Sequence, residues 1–189
     1  MTVILTTDRL LLRNWTDEDR PLFHEINSDP EVMEFFAVRR DRTEADSMLD
    51  TIRDAIAETG LGFYAAALKE TNEPIGFCGL WRPELEPFLP AGTIEVGWRL
   101  AKRHWGKGYA TEAGAAAIRR GFTEFDPPEI VSFAVADNHR STAVMRRLGL
   151  HHEPGRDFDH PRVPDTHPQL KRHVLYAISR EQWEERGIG

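Results

Sequence analysis

From Trp98 to Thr111 the chain reads Trp98-Arg99-Leu100-Ala101-Lys102-Arg103-His104-Trp105-Gly106-Lys107-Gly108-Tyr109-Ala110-Thr111. Apolar alternation gives way to glycines among basic residues and then to an alanine-rich run, so a strand passes through a turn into a helix. A helix start presents unpaired N–H groups at the positive end of its dipole, and glycine lets an anion approach that backbone closely. Arg99, Lys102, Arg103 and Lys107 add positive charge with no acid among them. These residue types support phosphate binding, and a polyphosphate suits the cluster. The plainer alternative is a tight turn with solvated side chains. A dinucleotide-binding Gly-x-Gly-x-x-Gly is not completed, because Thr111 holds the last position, and no Gly-Lys-Ser or Gly-Lys-Thr makes a P-loop.

The strand that feeds this turn also carries an acid. Ile94, Val96, Trp98 and Leu100 alternate with Glu95, Gly97 and Arg99, the pattern of a half-exposed strand with Glu95 and Arg99 on its open face. A carboxylate there has two readings, a general base or a surface group paired with Arg99.

The remaining elements must hold these groups in place. Leu10-Leu11-Leu12 reads as a first strand, and Thr16 with Asp17, Glu18 and Asp19 as a helix start. From Thr43, Ala45, Leu49, Ile52, Ala55 and Ile56 recur at helical spacing up to Gly60 and Gly62. Phe63 to Leu68 and Ile75 to Trp81 form an antiparallel pair across a polar turn, and prolines 83, 87 and 90 with Gly92 mark a loop. A helix follows from Thr111 to Phe125, then a strand from Ile130 to Val135. A short helix runs from Ser141 to Leu148, closed by Gly149. A late strand from His173 to Ile178 precedes a helical tail containing Trp183. There is no internal repeat or linker, and residues 1–189 read as one domain.

The 189 residues include 40% hydrophobic and 29% charged side chains, a composition that excludes a disordered or fibrous chain. With 24 basic against 31 acidic residues the net charge is -7, which argues against nucleic acid or an anionic membrane as partner. Val3-Ile4-Leu5 is the only apolar run near the N-terminus, and no stretch approaches the ~20 apolar residues of a membrane span, so a cytoplasmic location is expected. Cys78, the single cysteine, sits in an apolar run and is expected to be structural.

The sequence resembles the GNAT acetyltransferase superfamily, within it the RimJ/RimL-like group. Thr7-Asp8-Arg9-Leu10-Leu11-Leu12-Arg13 is similar to the family's opening strand, Ile94-Glu95-Val96-Gly97-Trp98 to its central strand, and Trp105 to Ala113 to its pyrophosphate loop. Asn138-His139-Arg140-Ser141, followed by Leu148-Gly149-Leu150, is similar to its second coenzyme A stretch. The family's Gln/Arg-x-x-Gly-x-Gly/Ala signature fits in two registers: Arg103, Gly106 and Gly108, or Trp105, Gly108 and Ala110. The flanking residues favour the second.

The resemblance implies an α/β (α+β) domain with a mixed, strongly bent central sheet flanked by helices. It implies direct acetyl transfer from acetyl-CoA to a primary amine, a protein N-terminus or a small molecule. Leu100 would offer backbone groups to the pantetheine arm, and the backbone of Gly106, Lys107, Gly108, Tyr109 and Ala110 would hold the pyrophosphate, with Trp105, Arg103, Lys107, Asn138 and Ser141 alongside. Glu95 takes the base position, directly or through water, and Glu95→Gln is expected to lower activity chiefly at low pH. Met145 stands where many relatives carry a thiolate-protonating tyrosine, which leaves Ser141 as donor, or as a helix cap. Asn138 is either a cofactor contact or a turn residue. A non-catalytic acyl-CoA sensor and a nucleotide-binding protein are the alternatives, and the family admits a homodimer.

Six of the eight histidines fall in the last third, but their spacing matches no compact zinc pattern, so no metal is expected. The segment Gly155 to Arg172 is long enough to serve as a substrate flap, and its Asp157, Asp159 and Asp165 are candidate lures for an amine.

Overall fold

The computed structural model describes residues 2–187. The chain runs β1 (Val3–Thr6), β2 (Leu10–Arg13), α1 (Arg20–Ser28), α2 (Arg42–Thr59), β3 (Gly62–Leu68), β4 (Pro74–Trp81), β5 (Ile94–Leu100) and α3 (Tyr109–Arg120). It continues through β6 (Glu129–Val135), α4 (His139–Leu148), β7 (His151–His152), β8 (Phe158–Asp159), β9 (Arg172–Ser179) and α5 (Arg180–Glu185). The strands form one mixed sheet in the order β1-β2-β3-β4-β5-β6-β9-β7, with β8 also paired to β9. Neighbours are antiparallel except β5 and β6, which are parallel. This is the expected single α/β domain.

Local chemistry accounts for most boundaries. Asp41 caps α2 by accepting from the Glu44 N–H at 2.9 Å, while Glu44 accepts from the Asp41 N–H at 3.0 Å. Gly60 ends the helix at φ 75°, where a Cβ would be strained. Ala45, Leu49, Ile52 and Ile56 are the buried stripe of α2. At the start of α1, Asp19 accepts from the Thr16 N–H at 2.9 Å and also receives the Arg13 guanidinium through two bonds of 2.6 and 2.8 Å. Arg13 and Asp19 are both buried.

Three strands were not anticipated. β1 pairs with β2 through a run too short to show alternation, and β7 and β8 have only two residues each. The helix expected from Thr111 to Phe125 starts at Tyr109. It narrows to α3 and then widens into a π-type turn, Gly121–Phe125, before Asp126 turns the chain at φ 51° ahead of Pro127.

Strand register sorts the side chains into two faces. Cross-strand pairs Trp81–Glu95, Gly79–Gly97 and Phe77–Arg99 put β4 and β5 residues on the side covered by α1 and α2. Cys78, Leu80, Val96 and Leu100 point to the side covered by α3. A main core fills both sides, and a smaller cluster of Leu85, Leu89, Val131, Phe158, Leu175 and Ala177 packs beneath the loops. Cys78 is fully buried, and burial pushes its thiol up to about 12, as a packing residue requires.

Candidate active site

The parallel strands β5 and β6 pair only at Ile94–Ile130 and Glu95–Val131. β5 continues to Leu100 and β6 to Val135 without further partners in each other, so a gap opens between them. Because the strands are parallel, their C-terminal ends lie together. β5 leads through the glycine loop into α3 and β6 leads into α4, so both helix N-termini stand at the mouth of the gap.

The loop leaves a run of backbone donors unpaired. Gly106 and Gly108 have φ of 73° and 81°, a conformation that favours glycine. The N–H groups from Gly106 through Thr111 donate to no backbone carbonyl among the described residues. Gly106, Lys107 and Gly108 are exposed, whereas Tyr109 and Ala110 are half-buried. Upstream, the Trp105 indole donates to the Leu100 carbonyl at 2.8 Å, folding the loop back on the strand. A row of free N–H groups on a glycine turn beside two splayed strands fits a pyrophosphate with an extended arm lying in the gap.

The basic cluster divides. Arg99 donates to Asn27 of α1, Lys102 pairs with Glu31, and Arg103 pairs with Glu25. Thus Arg103, expected at the phosphates, is held against α1, and of the four only Lys107 keeps a side chain without a partner among the described residues. Two other arginines stand at the loop. Arg9 donates to Glu112 at 2.6 Å and to the Lys107 carbonyl at 2.9 Å. Arg140 lies over the Trp105 ring at 4.7 Å and pairs with Glu34 at 2.6 Å. Both occur inside motif blocks of the sequence, but contacts spanning about a hundred residues leave no local signal.

Glu95 is not on an open face. α1 and α2 pack over its face of the sheet, and Leu85 and Leu89 of the loop after β4 pack on Val131 opposite it, leaving Glu95 half-buried. Trp81 lies opposite across β4, and Val131 opposite across β6. Phe63 stacks between Phe77 at 5.0 Å and Trp81 at 5.8 Å, forming an aromatic wall. Glu95 forms no ion pair among the described residues, and Arg99 is engaged elsewhere, which excludes the surface pair between them. Burial pushes the Glu95 carboxyl up to about 8. A carboxyl at that value is protonated at low pH and cannot accept a proton there, so a base role for Glu95 would show in Glu95→Gln as a loss at high pH, not at the low pH expected from the sequence. A groove of about 510 Å³ runs from Arg40 past Ser47 and Met48 to Trp81, reaching this wall from outside.

At the second helix, the cap is Asn138 and not Ser141. The Asn138 side-chain oxygen accepts from the Ser141 N–H at 3.1 Å, which places Ser141 as the third residue of α4 with its own hydroxyl free of a partner among the described residues. Met145 is buried in the main core.

The long segment after Gly155 is pinned by buried Phe158 and by β8, which departs from a free flap. Its acids are engaged rather than available: Asp157 by His152 and the Leu175 N–H, Asp159 by Arg172 at 3.6 Å, and Asp165 by Lys171. His160 and His173 lie 4.8 Å apart against Phe133 and Phe158, and burial first, then His173 and Arg162, lowers His160 to about 4. No group of three or more metal-ligating side chains occurs among the described residues.

Residues 9–151, well over half the chain and spanning every element of this site, match the family model described as an acetyltransferase (GNAT) domain. The chain belongs to the GNAT acetyltransferase family. This GNAT enzyme is 32% identical over 151 residues to p20 of Bacillus licheniformis, described as an uncharacterized N-acetyltransferase, covering 79% of this chain and 83% of that protein. It superimposes on an acetyltransferase from Agrobacterium tumefaciens with a TM-score of 0.73 at 27% identity, over 93% of this chain and 94% of the other. It shares its fold with RimL, a ribosomal L7/L12 alpha-N-protein acetyltransferase solved with coenzyme A, at a TM-score of 0.72 and 17% identity, over 95% and 99% of the two chains. As a GNAT member it is an N-acetyltransferase, and no helix among its described residues is long and apolar enough to cross a membrane.

Proposed function

We propose that this enzyme transfers the acetyl group of acetyl-CoA directly to a primary amine, a small-molecule amine or a protein N-terminus, in the cleft between the β5–β6 gap and the aromatic wall. The observation that carries this reading is Glu95: a half-buried carboxyl with no ion pair among the described residues, opposite Trp81 and beside the point where β5 and β6 separate. Gly106 to Ala110 hold the pyrophosphate through backbone N–H groups, with Lys107 adding charge, Trp105 and Leu100 shaping the inner end, and Asn138 and Ser141 bordering it on α4.

The chemistry needs a neutral amine. A free α-amine of pKa ~7.8 is mostly protonated at neutral pH, and a lysine-type amine of ~10.4 nearly wholly so. Glu95, directly or through a water, takes the amine proton as the nitrogen bonds to the thioester carbon. The C–S bond then breaks and sulfur leaves as a thiolate. Ser141, whose hydroxyl has no partner among the described residues, is the candidate donor on α4, and a thiol of pKa near ~8.5 needs only weak assistance.

Thiol release from acetyl-CoA across a panel of amines tests the proposal. Amine-dependent release that falls at least about a hundredfold in Glu95→Gln supports it. Tight acetyl-CoA binding with no release for any amine replaces it with a sensor, and displacement of acetyl-CoA by ATP or NAD replaces it with a nucleotide-binding protein.

A further inference from the structure

Arg99 lies on the same sheet face as Glu95, four residues further along β5. At ~3.3 Å per residue their Cα atoms are about 13 Å apart. The Arg99 guanidinium sits between two rings, 4.2 Å from the Phe36 centroid and 5.3 Å from that of Phe77. It donates to Asn27 Oδ1 at 2.5 Å. Asn27 is fully buried and fixed in turn, its amide donating to the Phe23 carbonyl at 2.7 Å and its own carbonyl accepting from the Arg40 N–H at 2.9 Å. The Nε of Arg99 is sealed from solvent with no partner among the described residues.

No carboxylate among the described residues pairs with this charge, and Asp41 and Glu44 beside Arg40 are engaged with each other's N–H groups at the start of α2. Neither Arg99 nor Arg40 enters a salt bridge among the described residues. The acids of the adjoining segment are committed elsewhere: Glu25 to Arg103, Glu31 to Lys102 and Glu34 to Arg140. Asp29 is spent on the N–H groups of Glu31 and Val32. Burial, and then the like charge of Arg40, push the Arg99 guanidinium below its usual value, yet a guanidinium stays charged at neutral pH. A partly desolvated cation beside a second cation is unfavourable unless an anion joins it, and a planar guanidinium binds an oxyanion through paired hydrogen bonds.

We propose that the acceptor carries an oxyanion, a carboxylate or phosphate, which Arg99 and Arg40 bind while its amine reaches Glu95. The proposal rests on the acetyltransferase reading of this cleft and narrows its substrate class. Phe36, 47% exposed, gives the anion site an apolar rim. The favoured acceptor is thus an amine separated from its anion by several bonds. Polycationic amines are disfavoured, because they meet Arg40 and Arg99 with like charge.

Matched acceptor pairs test this: 6-aminohexanoate against its amide, phosphoethanolamine against ethanolamine, and Ser-Gly-Glu-amide against Ser-Gly-Gln-amide, with thiol release as the readout. The anionic member of at least one pair is expected to show a KM lower by about tenfold or more. The pair with the largest ratio distinguishes carboxylate from phosphate and small molecule from peptide. Arg99→Gln should bring that ratio toward one, and Arg99→Lys should restore part of it. Equal KM values within every pair, or a preference that survives in a folded Arg99→Gln protein, overturn the proposal. If no acceptor releases thiol, calorimetric titration of the same compounds into CoA-saturated protein decides. Binding of the anionic members alone, lost in Arg99→Gln, upholds the anion site while the transferase reading fails, and no binding of either member overturns the proposal itself.

Discussion

Arg9 and Glu112, a hundred residues apart in sequence, lock the glycine loop after β5 to the β1–β2 turn. The Arg9 backbone N–H donates to Glu112 Oε1 at 2.8 Å and its side chain to Oε2 at 2.6 Å, while Thr7 adds a hydroxyl bond of 2.6 Å. The same guanidinium reaches the Lys107 carbonyl at 2.9 Å and lies over the Tyr109 ring at 4.7 Å. One arginine therefore fixes the loop, the first turn of α3 and the sheet edge together.

Glu112→Gln keeps the shape but weakens three charge-assisted bonds, so the loop should hold its ligand less well. The expected result is a rise of roughly three- to tenfold in the KM for acetyl-CoA, with kcat nearly unchanged and a stability loss of about 1 kcal/mol. Steady-state kinetics and thermal melting check both parts.

Glu95 should set the pH dependence of turnover. With its carboxyl at about 8, the wild-type kcat/KM rises with pH through that value as the base ionises. A lysine-type acceptor, whose own amine titrates near ~10.4, separates this limb from that of the substrate. Glu95→Gln should remove the limb near 8 and leave the acetyl-CoA KM in place. An unchanged limb would show that another group titrates.

Gly97 faces the aromatic wall, where an added Cβ would come within 2.8 Å of the Phe63 ring and 3.5 Å of Glu95 Oε1. Gly97→Ala must displace Phe63, so the acceptor KM should rise several-fold while the acetyl-CoA KM stays the same. A matching rise in the acetyl-CoA KM would place the disturbance in the β5–β6 gap instead.

Asp19→Asn should cost about 3–5 kcal/mol, because it leaves the Arg13 guanidinium buried without its counter-charge. The pH dependence follows from the same groups. Burial opposes ionisation of Asp19 and Glu112, but hydrogen bonds to Arg13 and Thr16, and to Thr7 and Arg9, outweigh it and hold both carboxyls below their usual values. Their stabilisation is present above the unfolded values of 3.8 and 4.5 and is lost as pH falls through the lower folded ones. Melting temperatures should decline below about pH 4.5, less steeply in a Glu112→Gln variant.

Much of this protein is written locally. The α2 stripe, its Asp41 start and Gly60 stop, the β3–β4 hairpin and the strand–loop–helix around Gly106 and Gly108 each depend on neighbours within a few residues. Periodicity and turn chemistry report such interactions directly. The motif blocks likewise gave the family and the place of the glycine loop between β5 and α3. The surroundings of Glu95, Arg99 and Ser141 did not follow. Alternation assigned Glu95 and Arg99 to one face, but whether that face met water depended on α1 and α2 packing over it. The basic residues from Arg99 to Lys107 looked like one island because they are adjacent in sequence, yet alternation along β5 and the turn after it send Arg99, Lys102 and Arg103 toward α1. The sequence by itself determined which groups could bind phosphate and accept a proton. Only tertiary packing, by deciding which charges lose water and which find partners, moved the Glu95 carboxyl to about 8 and left the Arg99 Nε without a partner among the described residues.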